Sequence, residues 1–229
     1  MSIASAERST GAVSGVRAIA AAALGLAFLL GVTAPAAAHP HVFVVAKAEL
    51  VFGPDGRIVA IRHAWTFDDM YSAFVTEGLT TGDALATKDQ LAPLAKTNVE
   101  QLAEWNWFTV GKTAGVKVTF AAPVDYSLEE GADKLVTLRF TLPLKTPASA
   151  RKAFSLQIYD PTYFVAFEFD DKQPVTLVGQ PPGCSTSMWK PDPLGTADTS
   201  KLSESFFTNL SPGADFGAKL ASRAIIACP

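Results

Sequence analysis

Thiol and imidazole chemistry are scarce in this chain. Among 229 residues there are two cysteines, three histidines and three methionines. Three histidines leave little acid–base capacity, and no Cys-x-x-Cys pair is present for dithiol redox chemistry. G-x-S-x-G, H-E-x-x-H, P-loop and dinucleotide-binding glycine motifs are all missing. Nothing in the residues points to an enzyme. Basic runs are missing too, and the net charge is −3, which argues against a nucleic-acid partner. Long apolar runs are limited to one, Ala18–Val32, near the start.

That run has the features of a secretory signal peptide. Arg8 and Arg17 precede it, its 15 residues are too few for a comfortable bilayer span, and Pro35 follows. Ala36-Ala37-Ala38 places small residues at −3 and −1 for cleavage before His39. Residues 1–38 are therefore read as signal peptide, and 39–229 as one domain. Removing Arg8, Arg17 and Glu7 leaves 17 basic and 21 acidic side chains, a net charge of −4. The mature chain is expected to be soluble and, without eukaryotic cues, periplasmic. In an oxidising compartment Cys184 and Cys228 most simply form one disulfide.

The remainder reads as an α+β domain. It is mainly an antiparallel β-sheet or sandwich, with two helices inserted after the first hairpin. Val42, Val44, Ala46, Ala48, Leu50 and Phe52 alternate onto one apolar face. "GPDG" marks the turn, and Val59, Ile61, His63, Trp65 and Phe67 line the returning strand. Pairing Phe52 with Arg57 sets Leu50 opposite Val59 and Val44 opposite Trp65, which brings the two apolar faces together. The same register sets His63 opposite Ala46 and His41 opposite Asp68.

Asp68-Asp69 then signals a helix start, with Met70, Phe74 and Val75 as its apolar stripe. A second helix fits Thr87–Trp105, with Thr87 and Gln90 as a capping box and Leu91, Leu94, Val99 and Leu102 at helical spacing. Strands are expected at "WFTV", "GVKVTF", "KLVTLRFTL", "AFSLQIYD", "YFVAFEF", "PVTLVG" and "SRAIIAC". Residues 190–217 read as a long loop.

Several of these motifs occur together in order: "AHPHVFV", "ELVFGPDGRI", "IRHAWTFDDMYSAF", "YDPTYFVAF" and a late "GC…CP". Over nearly the whole mature length the chain resembles the Domain of Unknown Function 1007 family. The resemblance implies an exported bacterial protein, of a kind often labelled a periplasmic component of an uncharacterised ABC-type transport system. It also implies an association with nickel/cobalt efflux permeases, so the partner expected is an inner-membrane metal permease or ABC-type transporter. Similar members carry a calcium-type loop between the two helices. The matching stretch here, Thr81–Leu91, has Ala84 for the turn glycine and Gln90 for the bidentate glutamate. It does not supply a calcium ligand set.

His39-Pro40-His41 is the strongest candidate site. Cleavage would give His39 an α-amine beside its imidazole, a chelating pair for Ni(II), Co(II), Zn(II) or Cu(II). His41 projects to the same side of an extended chain. Pro40 has no N–H to lose, which excludes the square-planar geometry that uses the second amide nitrogen. Asp68 is expected to be a carboxylate ligand or to orient an imidazole. His63, in an apolar row beside Trp65, reads first as a core histidine and joins the set only if the N-terminal segment folds over the sheet end. The bland alternative is a polar strand start with no ligand. Asp160 in "YDPTYF" suits turn initiation better than ligation, and Trp105 and Trp107 read as core anchors. The function expected is that of an accessory protein of transition-metal transport. Its rival is a metal-free solute-binding or permease-docking module. Oligomeric state is open.

Overall fold

The computed structural model describes residues 40–192 and 215–229. The signal-peptide reading, the cleavage site and His39 lie outside them, as does most of the loop read at 190–217. The described residues belong to a single compact unit.

Two sheets share one apolar core. The larger contains β1 (Val42–Phe52), β2 (Ile58–Phe67), β5 (Val124–Glu130), β6 (Val136–Ala148), β8 (Val165–Phe169) and β9 (Val175–Val178). Its order is β5-β6-β2-β1-β8, with β9 also paired to β1. The smaller runs β10 (Ser185–Trp189), β11 (Arg223–Ala227), β7 (Phe154–Ile158), β3 (Thr109–Thr113) and β4 (Val116–Lys117). Most pairings are antiparallel, but β1 pairs in parallel with both β8 and β9. The class is the α+β, sheet-dominated one expected. Alternation accounts for it: Val44, Ala46, Ala48, Leu50 and Phe52 are all buried along β1.

The hairpin register differs from the expected one by two residues. Leu50 faces Ile61, Ala48 faces His63 and Val44 faces Phe67. Gly53 N–H donates to Arg57 C=O at 2.8 Å, so the loop is Pro54-Asp55-Gly56, closed by Gly56 at φ +71°. This is a three-residue loop ending in a left-handed glycine. A register shift between Val51 and Phe52 then adds a residue on β2. An offset of two keeps Ile61, His63, Trp65 and Phe67 on the expected face, so the apolar rows still meet; beyond the bulge Ile58 and Ala60, not Val59, are buried. It moves Asp68 away from His41 and opposite Phe43.

Helix α1 (Asp69–Thr76) and helix α2 (Lys88–Gln101) follow where the caps place them. Thr87 and Gln90 form the full capping box. Of the expected α1 stripe only Val75 packs against the core: Met70 and Phe74 are 76% and 74% exposed. Polar anchors fix the rotation instead. Buried Ser72 accepts from Val136 N–H at 2.9 Å, which turns Tyr71 and Val75 toward the core. Beyond Gln101 the expected helix gives way to a 3-10 segment, Leu102–Phe108, with left-handed residues at its end. Strands β5 and β10 were not expected. Both are edge strands with polar outward residues, and polar edges hide the alternation. The anticipated strand at 115–120 shrinks to the two residues of β4. A short helix, α3 (Gly217–Leu220), precedes β11. Cys184 and Cys228 form the disulfide, 44 residues apart in sequence.

Candidate functional site

His41 stands exposed just before β1. Its backbone N–H donates to Phe164 C=O at 2.9 Å, continuing the parallel pairing with β8 by one residue. Its ring centroid lies 4.8 Å from that of Phe164. Local geometry thus displays this imidazole at the strand start.

Asp68 has a different task from the one expected. One carboxylate oxygen accepts from Phe43 N–H at 2.6 Å and the other from Tyr71 N–H at 2.7 Å. Asp68 N–H in turn donates to Phe43 C=O at 3.0 Å. The residue caps α1 and clamps it to β1. Asp68→Ala is therefore expected to cost about 2 kcal/mol, since a lost cap and an unpartnered strand N–H act together. Urea denaturation of the variant checks this, and Asp68→Asn should recover part of the loss.

His63 sits in the core at 3% exposure. It stacks on Phe140 at 4.7 Å, meets the edge of Trp65 at 5.3 Å and reaches Thr109 Oγ1 at 3.3 Å. Thr109 spends its only hydroxyl hydrogen on Trp107 C=O at 2.7 Å. The histidine must therefore donate through Nε2–H, which leaves Nδ1 as a bare acceptor with no partner among the described residues. Burial holds the imidazole neutral, its pKa pushed down to about 3. His63 and Thr109 link β2 of one sheet to β3 of the other.

Asp160 is 4% exposed and wholly engaged in turn chemistry. It accepts from Thr162 N–H and hydroxyl, both at 2.8 Å, and from Val165 N–H at 3.0 Å. The loop compared with a calcium site is held by the protein's own cation. Lys134 Nζ donates to Asp83 C=O at 2.7 Å and Ala84 C=O at 3.1 Å. Gln90 there caps α2 and donates to Leu79 C=O at 2.7 Å. Among the described residues no group of three or more His, Cys, Asp or Glu side chains is set to hold a metal. His41, His63 and Asp68 are not brought together as one set.

Sequence reasoning missed an apolar cleft of about 270 Å³ beside His41. Trp65, Phe67 and Phe167 line it from the larger sheet, and Tyr71, Trp105 and Phe108 from the helical side. Phe164, the residue against the His41 ring, lines it too. Trp107 is the core anchor expected, its Nε1–H donating to Val99 C=O at 2.9 Å, but Trp105 is 47% exposed. The available signal was the density of aromatics in "EWNWF" and "YFVAF". Reading 102–105 as continued helix concealed where they converge.

Fold and site define an α+β protein of two sheets with one disulfide, an exposed strand-start histidine and an aromatic cleft. The chain belongs to the family described as "Protein of unknown function (DUF1007)", whose model matches residues 24–228. It is similar to an uncharacterized protein of Haemophilus influenzae, 26% identical over 170 residues, which cover 74% of this chain and 79% of that relative. Among the described residues no helix is long and apolar enough to cross a membrane. The disulfide fits an extracellular or periplasmic compartment.

Proposed function

We propose that this protein is a periplasmic accessory protein of a transition-metal transport system, binding rather than catalytic. Its cargo is a nickel-, cobalt-, zinc- or copper-type ion held at the His39-Pro40-His41 end, and its partner is an inner-membrane permease or ABC-type transporter. One observation supports this above the rest: the fold seals His63 in the core and displays His41 at an exposed strand start. The ligand set narrows accordingly. Asp68 is spent on the α1 cap and His63 on Thr109, so the ion would be held by the His39 amine and imidazole with the His41 imidazole.

Calorimetric titration of the correctly cleaved protein with Ni(II), Co(II), Zn(II) and Cu(II) tests this. At least one ion should bind more tightly than about 1 mM, a binding free energy of roughly −4 kcal/mol. His41→Ala should weaken it by about tenfold or more. Protein that retains residues before His39 should bind more weakly, because its amine is no longer free. Heat from none of the four ions ends the reading.

A metal-free module that docks on a permease is the second reading. It is favoured by the apolar side chains that α1 and β1 leave at the surface, Met70, Phe74, Phe43 and Val45. It stands if no ion binds.

A further inference from the structure

We propose that the aromatic cleft is a binding site for a small, uncharged ring compound, separate from the His39/His41 end. The chemistry of the lining sets the class. Seven of its residues carry aromatic rings, and none is Asp, Glu, Lys or Arg. A charged ligand would lose its hydration there without an opposite charge to replace it. A flat, neutral ring would stack. Asn98 and Gln101, one helical turn apart on α2, are the lining's uncharged side-chain amides and suit a hydroxyl, carbonyl or amide on such a ring. The volume of about 270 Å³ lies just below the drug-sized pocket range of about 300–1,000 Å³, which suits a small ring compound.

The backbone supplies an independent observation. Asn106, Trp107 and Phe108 follow one another with φ of 52°, 49° and 47°. Tyr163, immediately before Phe164, has φ 60°. Left-handed conformations are uncommon for residues other than glycine and rarer still for bulky ones. Here they occur at Phe108 itself and beside Phe164, two residues of the lining. Each is locked in place. Asn106 Nδ2 donates to Thr109 C=O at 2.6 Å, Trp107 Nε1–H to Val99 C=O, and Tyr159 N–H to Phe108 C=O at 2.9 Å. Tyr163 N–H donates to Asp160 C=O at 3.0 Å. Strain held by this many contacts is characteristic of preorganised ligand clamps. Trp105 and Phe164 stand nearly half exposed at this cleft, at 47% and 46%.

A matched pair of fluorescent probes tests the proposal on the full mature protein. N-phenyl-1-naphthylamine is uncharged. 1-Anilinonaphthalene-8-sulfonate has the same rings with a sulfonate added. The uncharged probe should bind saturably, one per chain, with Kd on the order of 10 µM, and the sulfonate at least about tenfold more weakly. Trp105→Ala and Phe164→Ala should each weaken the uncharged probe by about tenfold with the melting temperature unchanged. Phe43→Ala, exposed but outside the lining, should leave it unaltered. Saturation by neither probe, equal binding of both, or wild-type affinity in both lining variants would overturn the site. The metal titration is unaffected by any of these outcomes, so the two proposals fail separately.

Discussion

Lowering the pH from 7 to 4.5 is expected to cost the fold about 3 kcal/mol through His63 alone. The imidazole is neutral when folded, with its pKa held down to about 3, and titrates near 6.5 when the chain unfolds. Between those values the unfolded state binds the extra proton. Stability is therefore full above pH 6.5 and falls with acid by about 1.4 kcal/mol per pH unit until pH 3 is approached. The cause is burial: Phe140 and Trp65 flank the ring, and Thr109 offers it an acceptor for a neutral N–H. The carboxylates act lower on the scale. Asp55 is held below its ordinary value by the Arg57 side chain, Asp170 by the Gln173 N–H and Glu129 by Lys88. Their contributions are lost only as the pH falls through the unfolded values, 4.5 for Glu129 and 3.8 for the two aspartates. Urea midpoints between about pH 6.5 and 5.5 thus isolate the histidine. His63→Leu should flatten that slope. Its stability at pH 7 should stay within about 1 kcal/mol of wild type, because the substitution also removes the unpartnered Nδ1. An unchanged acid slope in the variant would refute the assignment.

Opening the disulfide is expected to cost about 4 kcal/mol. The cross-link closes a 44-residue separation, and loop-closure entropy scales with the logarithm of that length. The location adds a structural reason. Cys228 directly follows β11, which lies between β10 and β7, and Cys184 directly precedes β10. The bond therefore ties an edge strand to its neighbour at the ends of both. Reduced and oxidised protein should differ in denaturant midpoint with m altered little. A Cys184→Ser, Cys228→Ser double variant should match the reduced form. A difference below about 1 kcal/mol would mean that the unfolded chain is already compact across this loop.

What the sequence revealed about this molecule follows the reach of each physical signal. Alternation places the side chains of β1, and of β2 from Ile61 to Phe67, on their faces, including His63 in the core; beyond the bulge Ile58 and Ala60 are buried where Val59 is expected. Helix starts were legible because Asp68 and Thr87–Gln90 carry their own capping chemistry. Register was not, since the choice between two turn pairings depends on one left-handed glycine and one bulge. That two-residue offset is what misplaced Asp68 beside His41. The stripe on α1 differs for a related reason: the Ser72 hydrogen bond to β6 accompanies a rotation that keeps Val75 on the core and leaves Met70 and Phe74 outside. The cleft was hidden most deeply. Its aromatics come from three stretches far apart in the chain, 65–71, 105–108 and 164–167, and the left-handed turn beside them has no glycine to announce it.

Strand β1 pairs on one side with its sequence neighbour and on the other with β8 and β9, which lie more than a hundred residues further along. The first pairing is local and fast to find; the second must close a very long loop. During synthesis, the hairpin can exist well before its second neighbours. Through that interval β1 presents an open hydrogen-bonding edge, with Phe43 and Val45 among its residues. Such an edge is a template for pairing with other chains. An interior strand of the larger sheet is therefore, for part of its life, an edge strand, and the order in which the chain becomes available decides how long that lasts.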